Sequence, residues 1–222
     1  MKIGVVLSGC GVYDGSEIHE SVAVLMALSA QGAEAVCLAP DADQAHVIDH
    51  LSGNPSEEKR SILREAARIA RGSIQKIDSS LVKDLDAVIF PGGYGVVKNL
   101  CTFAFDGTDC RVHPEVEKLI SALYAAGKPI GAVCIAPVLV AKVLRGKSLR
   151  LTIGNEVETA AAIESLGHSH VVCDVHAVCV DKKNRVVSTP AYMLARNIGE
   201  AASGIQKLVT EVLAMAKEPA ST

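Results

Sequence analysis

Blocks of consecutive apolar residues alternate along this chain with longer stretches whose apolar positions return every three or four residues. Residues 3–7, 34–38, 85–90 and 130–133 are short, almost continuous apolar runs, the pattern of strands buried on both faces. Between them lie helical patterns with recognisable ends. Residues 16–31 follow Ser16 as a plausible N-cap and stop at Gly32. Residues 56–71 alternate Glu with Arg and Lys, read as a solvated surface helix, and stop at Gly72. Pro114 opens a helix to residue 126, stopped by Gly127, and Pro137 opens another to residue 145. Residues 157–166 and 192–216 complete the helices, the last with a possible break near Gly204. Residues 40–50 read as loop and short helix. Weaker strands are expected at 150–153, 171–173 and 177–187, the last folding over Asp181-Lys182-Lys183-Asn184 into a hairpin. This βαβα order predicts a flavodoxin-like α/β/α sandwich with a mainly parallel sheet. A single domain over residues 1–216 is expected, with a polar tail at 217–222.

The 222 residues include 3% aromatics and no Trp, so Val, Ile, Leu and Ala must build the core. A formal net charge of −3 offers no electrostatic case for nucleic acid or an anionic membrane. No apolar run approaches a membrane span, and the start of the chain has no signal-peptide layout. The seven cysteines contain no CxxC and no paired ligand spacing, so no metal site is expected. Their odd number suits a reducing compartment, and a cytoplasmic location is expected.

The chemistry centres on Lys128-Pro129-Ile130-Gly131-Ala132-Val133-Cys134-Ile135-Ala136-Pro137. A buried strand runs into a cysteine and then at once into a helix opened by proline, the layout of a nucleophile elbow. Free N–H groups and the positive end of a helix dipole should meet the sulfur, favour thiolate and lower its pKa. Pro91-Gly92-Gly93 follows another buried strand. Its Gly93 N–H, paired with that of Ile135, would make an oxyanion hole. In such sheets the site lies at the carboxyl ends of the strands, so these segments should converge.

A proton partner is needed. Glu17 and Glu20 sit one turn apart at the start of the first helix, and either could serve. His168, His170 and His176 follow the cysteine, but at a helix end and beside strands, where structural or surface histidines are common. Cys10, in the Gly-rich loop after the first strand, reads as lining or supporting the site, with a resolving thiol as the alternative. The Gly9-Cys10-Gly11 turn lacks the third glycine of a dinucleotide fingerprint and the Gly-Lys-Ser/Thr of a P-loop, so no nucleotide cofactor is expected.

Several segments together resemble the class I glutamine-amidotransferase-like superfamily in its PfpI branch. They are Leu7-Ser8-Gly9-Cys10-Gly11-Val12-Tyr13-Asp14-Gly15-Ser16-Glu17-Ile18-His19-Glu20, Pro91-Gly92-Gly93 with Lys98-Asn99-Leu100, and Cys134-Ile135-Ala136-Pro137. Arg150-Leu151-Thr152-Ile153-Gly154 and Thr189-Pro190-Ala191-Tyr192-Met193-Leu194-Ala195 complete the set. The likeness is greater still to the enhancing-lycopene-biosynthesis (ElbB) proteins, also described as isoprenoid-biosynthesis glyoxalases. The resemblance implies Cys134 as nucleophile, Glu20 as the acid on its sulfur, and Gly93 and Ile135 as oxyanion donors. The superfamily's histidine after the cysteine is not matched: Ile153-Gly154-Asn155 and Thr189-Pro190-Ala191 stand where it would fall. His113-Pro114-Glu115 imitates the amidotransferase His-Pro-Glu but precedes the cysteine and reads as a helix start. Glutamine hydrolysis is therefore not expected. The resemblance implies a glyoxalase that needs no metal, glutathione or nucleotide, acting on a small aldehyde, in a homodimer. The competing reading is a redox-sensing or regulatory protein linked to isoprenoid biosynthesis.

Overall fold

The computed structural model describes residues 1–218. Its strands are β1 (Lys2–Val6), β2 (Glu34–Ala39), β3 (Ile74–Lys76), β4 (Ala87–Phe90), β5 (Ile130–Val133), β6 (Arg150–Leu151), β7 (Ser169–His170), β8 (Cys179–Asp181) and β9 (Val186–Thr189). Its helices are α1 (Ile18–Ala30), α2 (Ile62–Ile69), α3 (Phe103–Asp106), α4 (Pro114–Ala125), α5 (Ala136–Val143), α6 (Val157–Ser165) and α7 (Ile198–Lys217). Seven strands form one sheet in the order β3-β2-β1-β4-β5-β9-β8, parallel throughout except that β8 runs against β9. The small parallel pair β6–β7 stands apart from it.

The strand period of two divides the apolar side chains between two cores. Val88, Phe90, Ile130 and Ala132 face a cluster with α4 and α5. Ala87, Ile89 and Val133, with Ile3 and Val5, face a second cluster with α1 and α7. Burial on both faces is why these strands read as unbroken apolar runs. The result is the expected flavodoxin-like α/β/α sandwich.

The differences from the sequence reading have local causes. Glu17, not Ser16, caps α1: its carboxylate accepts from the Glu20 N–H at 2.6 Å. Ser16 turns inward instead, its hydroxyl accepting from the Ser8 N–H at 2.8 Å. The charged helix spans only Ile62–Ile69, capped by Ser61. Residues ahead of it are drawn into antiparallel bridges, Asp43 with Ser61 and Ile48 with Pro55, which also replace the helix expected within 40–50. β3 carries one half-buried Ile between polar neighbours, too weak a pattern to register. The strand expected at 171–173 lies at β7 instead, and Val172 is exposed. The final helix starts later, at Ile198 after an Asn197 cap, and runs through Gly204 unbroken. A Cβ on Gly204 would lie 2.6 Å from Thr189 Oγ1 and 2.7 Å from Val175 O, so glycine there serves close helix–strand packing. Of the expected tail, Lys217 ends α7 and residues 219–222 lie outside the described residues.

Candidate active site

Three loops at the carboxyl ends of β1, β4 and β5 meet above the sheet, joined by the turn after β9. Cys134 follows β5 at once with φ +61°, and α5 begins two residues later with Pro137 in its first turn. A non-glycine residue in this left-handed region is the strained elbow expected for an exposed nucleophile. Its N–H donates to Thr189 O at 2.9 Å, so the end of β9 holds the elbow in place.

Glu20 is fully buried, yet every part of its carboxyl is engaged. Oε2 accepts from the Gly92 N–H at 2.9 Å and Oε1 from the Tyr192 N–H at 3.1 Å. The carboxyl also lies beside the Cys134 thiol, an interaction that lowers its own pKa and raises that of the thiol. Burial raises the Glu20 pKa to about 7, against the opposing pull of the Tyr192, Cys134 and Gly92 hydrogen bonds. Glu17, the α1 cap, does not reach the sulfur in this way; it lines the cavity above it.

The Cys134 thiol departs from expectation. Its pKa is raised well above the ordinary value, first by burial, then by the charge of Glu20 and the hydrogen bond to it. The N–H groups of Gly93 and Ile135 face the sulfur and pull the other way, but they do not win. α5 has only 8 residues. A short helix end cannot offset removal from water beside a carboxylate. The resting sulfur is therefore a protonated thiol beside the Glu20 carboxyl.

Close approach is built with glycine. A Cβ on Gly92 would lie 2.5 Å from Cys134 Cβ and 2.5 Å from Glu20 Oε2. Gly93 has φ +98°, and a Cβ there would lie 2.3 Å from Glu17 N. Asn99 ties the Gly-rich loop down: its Nδ2 donates to Ser8 O and Asp14 O, both at 2.8 Å.

The histidines and Cys10 lie elsewhere. His168 accepts from Leu149 N at 3.0 Å and bonds Ala141 O at 2.8 Å, a buried structural role. His170 accepts from Ile153 N, and His176 bonds Ser203 on the surface. His113 stands at the start of α4. Cys10 has Glu65, Arg68 and Asp14 as its charged neighbours and does not line the cavity over Cys134. Among the described residues no cluster of His, Cys, Asp or Glu could hold a metal ion.

Above Cys134 opens a cavity of about 460 Å³ whose walls include Val12, Tyr94, Val97, Phe103, Ile135, Tyr192 and Met193. Cys134 is 8% exposed, so the sulfur forms part of its floor. Sequence reasoning missed Tyr192, Phe103 and Met193. Tyr192 matters twice, through its N–H on Glu20 and through its hydroxyl, 2.8 Å from His19 Nδ1.

No family model matches the chain. It is 51% identical to "Glutamine amidotransferase-like class 1 domain-containing protein 3, mitochondrial" of Homo sapiens, across 96% of this chain and 82% of that one. It is 49% identical to "ES1 protein homolog, mitochondrial" of Rattus norvegicus, across 96% and 83%. The chain belongs to the ES1 family of glutamine amidotransferase-like class 1 proteins. A solved relative is the isoprenoid biosynthesis protein with amidotransferase-like domain from Ehrlichia chaffeensis. It has 37% identity and a TM-score of 0.91, covering 98% of this chain and 100% of that one. Glyoxalase III from Candida albicans shares the fold at 14% identity, with a TM-score of 0.62 and 97% of each chain covered. The human and rat names place those proteins in mitochondria, so they lend the cytoplasmic expectation no support. Among the described residues no helix is long and apolar enough to cross a membrane.

Proposed function

We propose that this ES1-family chain is a cofactor-independent glyoxalase converting glyoxal, and small 2-oxoaldehydes like it, to the hydroxy acid. The observation that carries the reading is the buried Glu20 carboxyl, its pKa raised to about 7, set beside Cys134 on the floor of a cavity. A carboxyl poised near the working pH can both accept and return a proton.

Glu20 takes the thiol proton as Cys134 sulfur attacks one aldehyde carbon. The carbonyl electrons move to oxygen, two bonds from the sulfur, where the Gly93 and Ile135 N–H groups can follow the charge from sulfur to oxyanion. Glu20 returns its proton to that oxygen, completing a hemithioacetal. The Glu20 carboxylate then removes the hydrogen from the sulfur-bearing carbon. An enediol forms and is reprotonated on the neighbouring carbon. The first carbon is thereby oxidised to a thioester, and its neighbour is reduced to an alcohol. Water cleaves the thioester to glycolate and frees the thiol. The likeness in fold to glyoxalase III agrees with this reading but supplies the fold alone.

A raised thiol pKa and slight exposure argue against the redox-sensor alternative, because oxidants select accessible thiolates. The test is conversion of glyoxal to glycolate by wild type, Cys134→Ser and Glu20→Gln. The glyoxalase reading expects turnover lost in both variants. Absence of wild-type turnover, with sulfinate formed at Cys134 under mild peroxide, would favour the sensor.

A further inference from the structure

The cavity is far larger than glyoxal needs. At about 460 Å³ it falls within the range of pockets that enclose drug-sized ligands, roughly 300–1,000 Å³. Glyoxal would occupy only the floor, beside Cys134. Much of the wall beyond it is apolar, built by Val97, Phe103, Ile135 and Met193. A reaction using only the sulfur, Glu20 and two N–H groups leaves those walls without a task. An apolar substituent on the substrate would displace water from them.

Charge narrows the ligand further. Two acidic side chains, Glu17 and Glu156, line the cavity, and among the described residues no Lys, Arg or His does. Glu156 is fixed in place as the α6 cap, accepting from the Glu158 N–H at 2.9 Å and the Thr159 N–H at 2.7 Å. An anionic substrate would meet these carboxyl groups with no cation to offset them. That disfavours phosphorylated aldehydes, 2-oxo acids and glutathione adducts, a rejection built from repulsion.

We infer that the preferred substrate is an uncharged 2-oxoaldehyde bearing an apolar aryl or alkyl substituent, seated against Phe103 and Met193 with its dicarbonyl at Cys134. This rests on the glyoxalase reading and adds its substrate class. The step at the dicarbonyl is unchanged, giving the 2-hydroxy acid that carries the same substituent.

The experiment is a comparison of initial-rate kcat/KM for glyoxal, methylglyoxal, phenylglyoxal and para-carboxyphenylglyoxal, with Cys134→Ser as the blank. Phenylglyoxal should exceed glyoxal by about tenfold or more, since even one methylene in an apolar pocket is worth about tenfold. The para-carboxylate should fall about tenfold below phenylglyoxal. Glu156→Gln should recover part of that loss, and Phe103→Ala should shrink the phenylglyoxal-to-glyoxal ratio. Turnover of glyoxal with phenylglyoxal no better, or with the para-carboxylate equally good, would overturn the substrate assignment and leave the glyoxalase reading standing. Turnover of no dicarbonyl by the wild type would overturn both.

Discussion

Replacing Gly92 with alanine drives a wedge into the proposed proton pair. The added Cβ would lie 2.5 Å from Cys134 Cβ, 2.5 Å from Glu20 Oε2 and 3.1 Å from Cys134 Sγ. Gly92 is not among the residues with positive φ, so the cost is one of contact rather than backbone strain. Real Cβ atoms do not approach so closely, and neither neighbour is free to retreat. Cys134 is anchored through Thr189 O, and Glu20 is held by the Gly92 and Tyr192 N–H groups. Overpacking of this kind costs about 1–3 kcal/mol. For a chain of this size that lowers Tm by roughly 2–12 °C. The kinetic effect should be larger, because displacing a reacting group by about 1 Å costs on the order of a hundredfold. Thermal unfolding and glyoxal turnover on the same preparation check both. A Gly92→Ala protein with wild-type turnover would refute the claim that sulfur and carboxyl must touch.

Other consequences can be read separately. Glu20 has its pKa raised from 4.5 to about 7, so the folded protein binds more protons than the unfolded chain between those values. The Glu20 contribution to stability is therefore greatest below about pH 4.5 and is lost as pH rises through about 7, amounting to about 3 kcal/mol. Denaturant unfolding at several pH values should show wild type gaining on Glu20→Gln as pH falls across that window. Asn99→Ala removes two bonds to the Gly-rich loop and leaves the Ala45 N–H, 2.9 Å from Asn99 Oδ1, without its acceptor. A loss of about 2–3 kcal/mol is expected in the same assay. Gly204→Ala would ordinarily steady a helix by about 1 kcal/mol. Here the Thr189 and Val175 contacts reverse the sign, and Tm should fall.

The sheet was legible because its strands are buried on both faces. Unbroken apolar runs such as Ala87–Phe90 and Ile130–Val133 leave little choice of structure. The elbow was legible too, since a strand, a cysteine and a helix-opening proline occupy consecutive positions. What escaped depended on partners distant in sequence. Residues 56–61 look helical by charge pattern, yet their backbone is claimed by bridges to 43–48. Tyr192 reaches Glu20 through a backbone N–H, which its side chain does not advertise. The thiol's protonation state was misjudged for a related reason. The helix-start amides lie next to Cys134 in sequence and can be anticipated, whereas the burial and the carboxylate that outweigh them arrive from α1 across the fold.

The protonation state of Cys134 at rest is open to direct measurement. Thiolate ultraviolet absorbance can be titrated from about pH 6 to pH 9, with Cys134→Ser subtracted to isolate this one sulfur. Wild type should show no thiolate step in that range, the proton staying on the sulfur. A step with its midpoint below neutrality would contradict this.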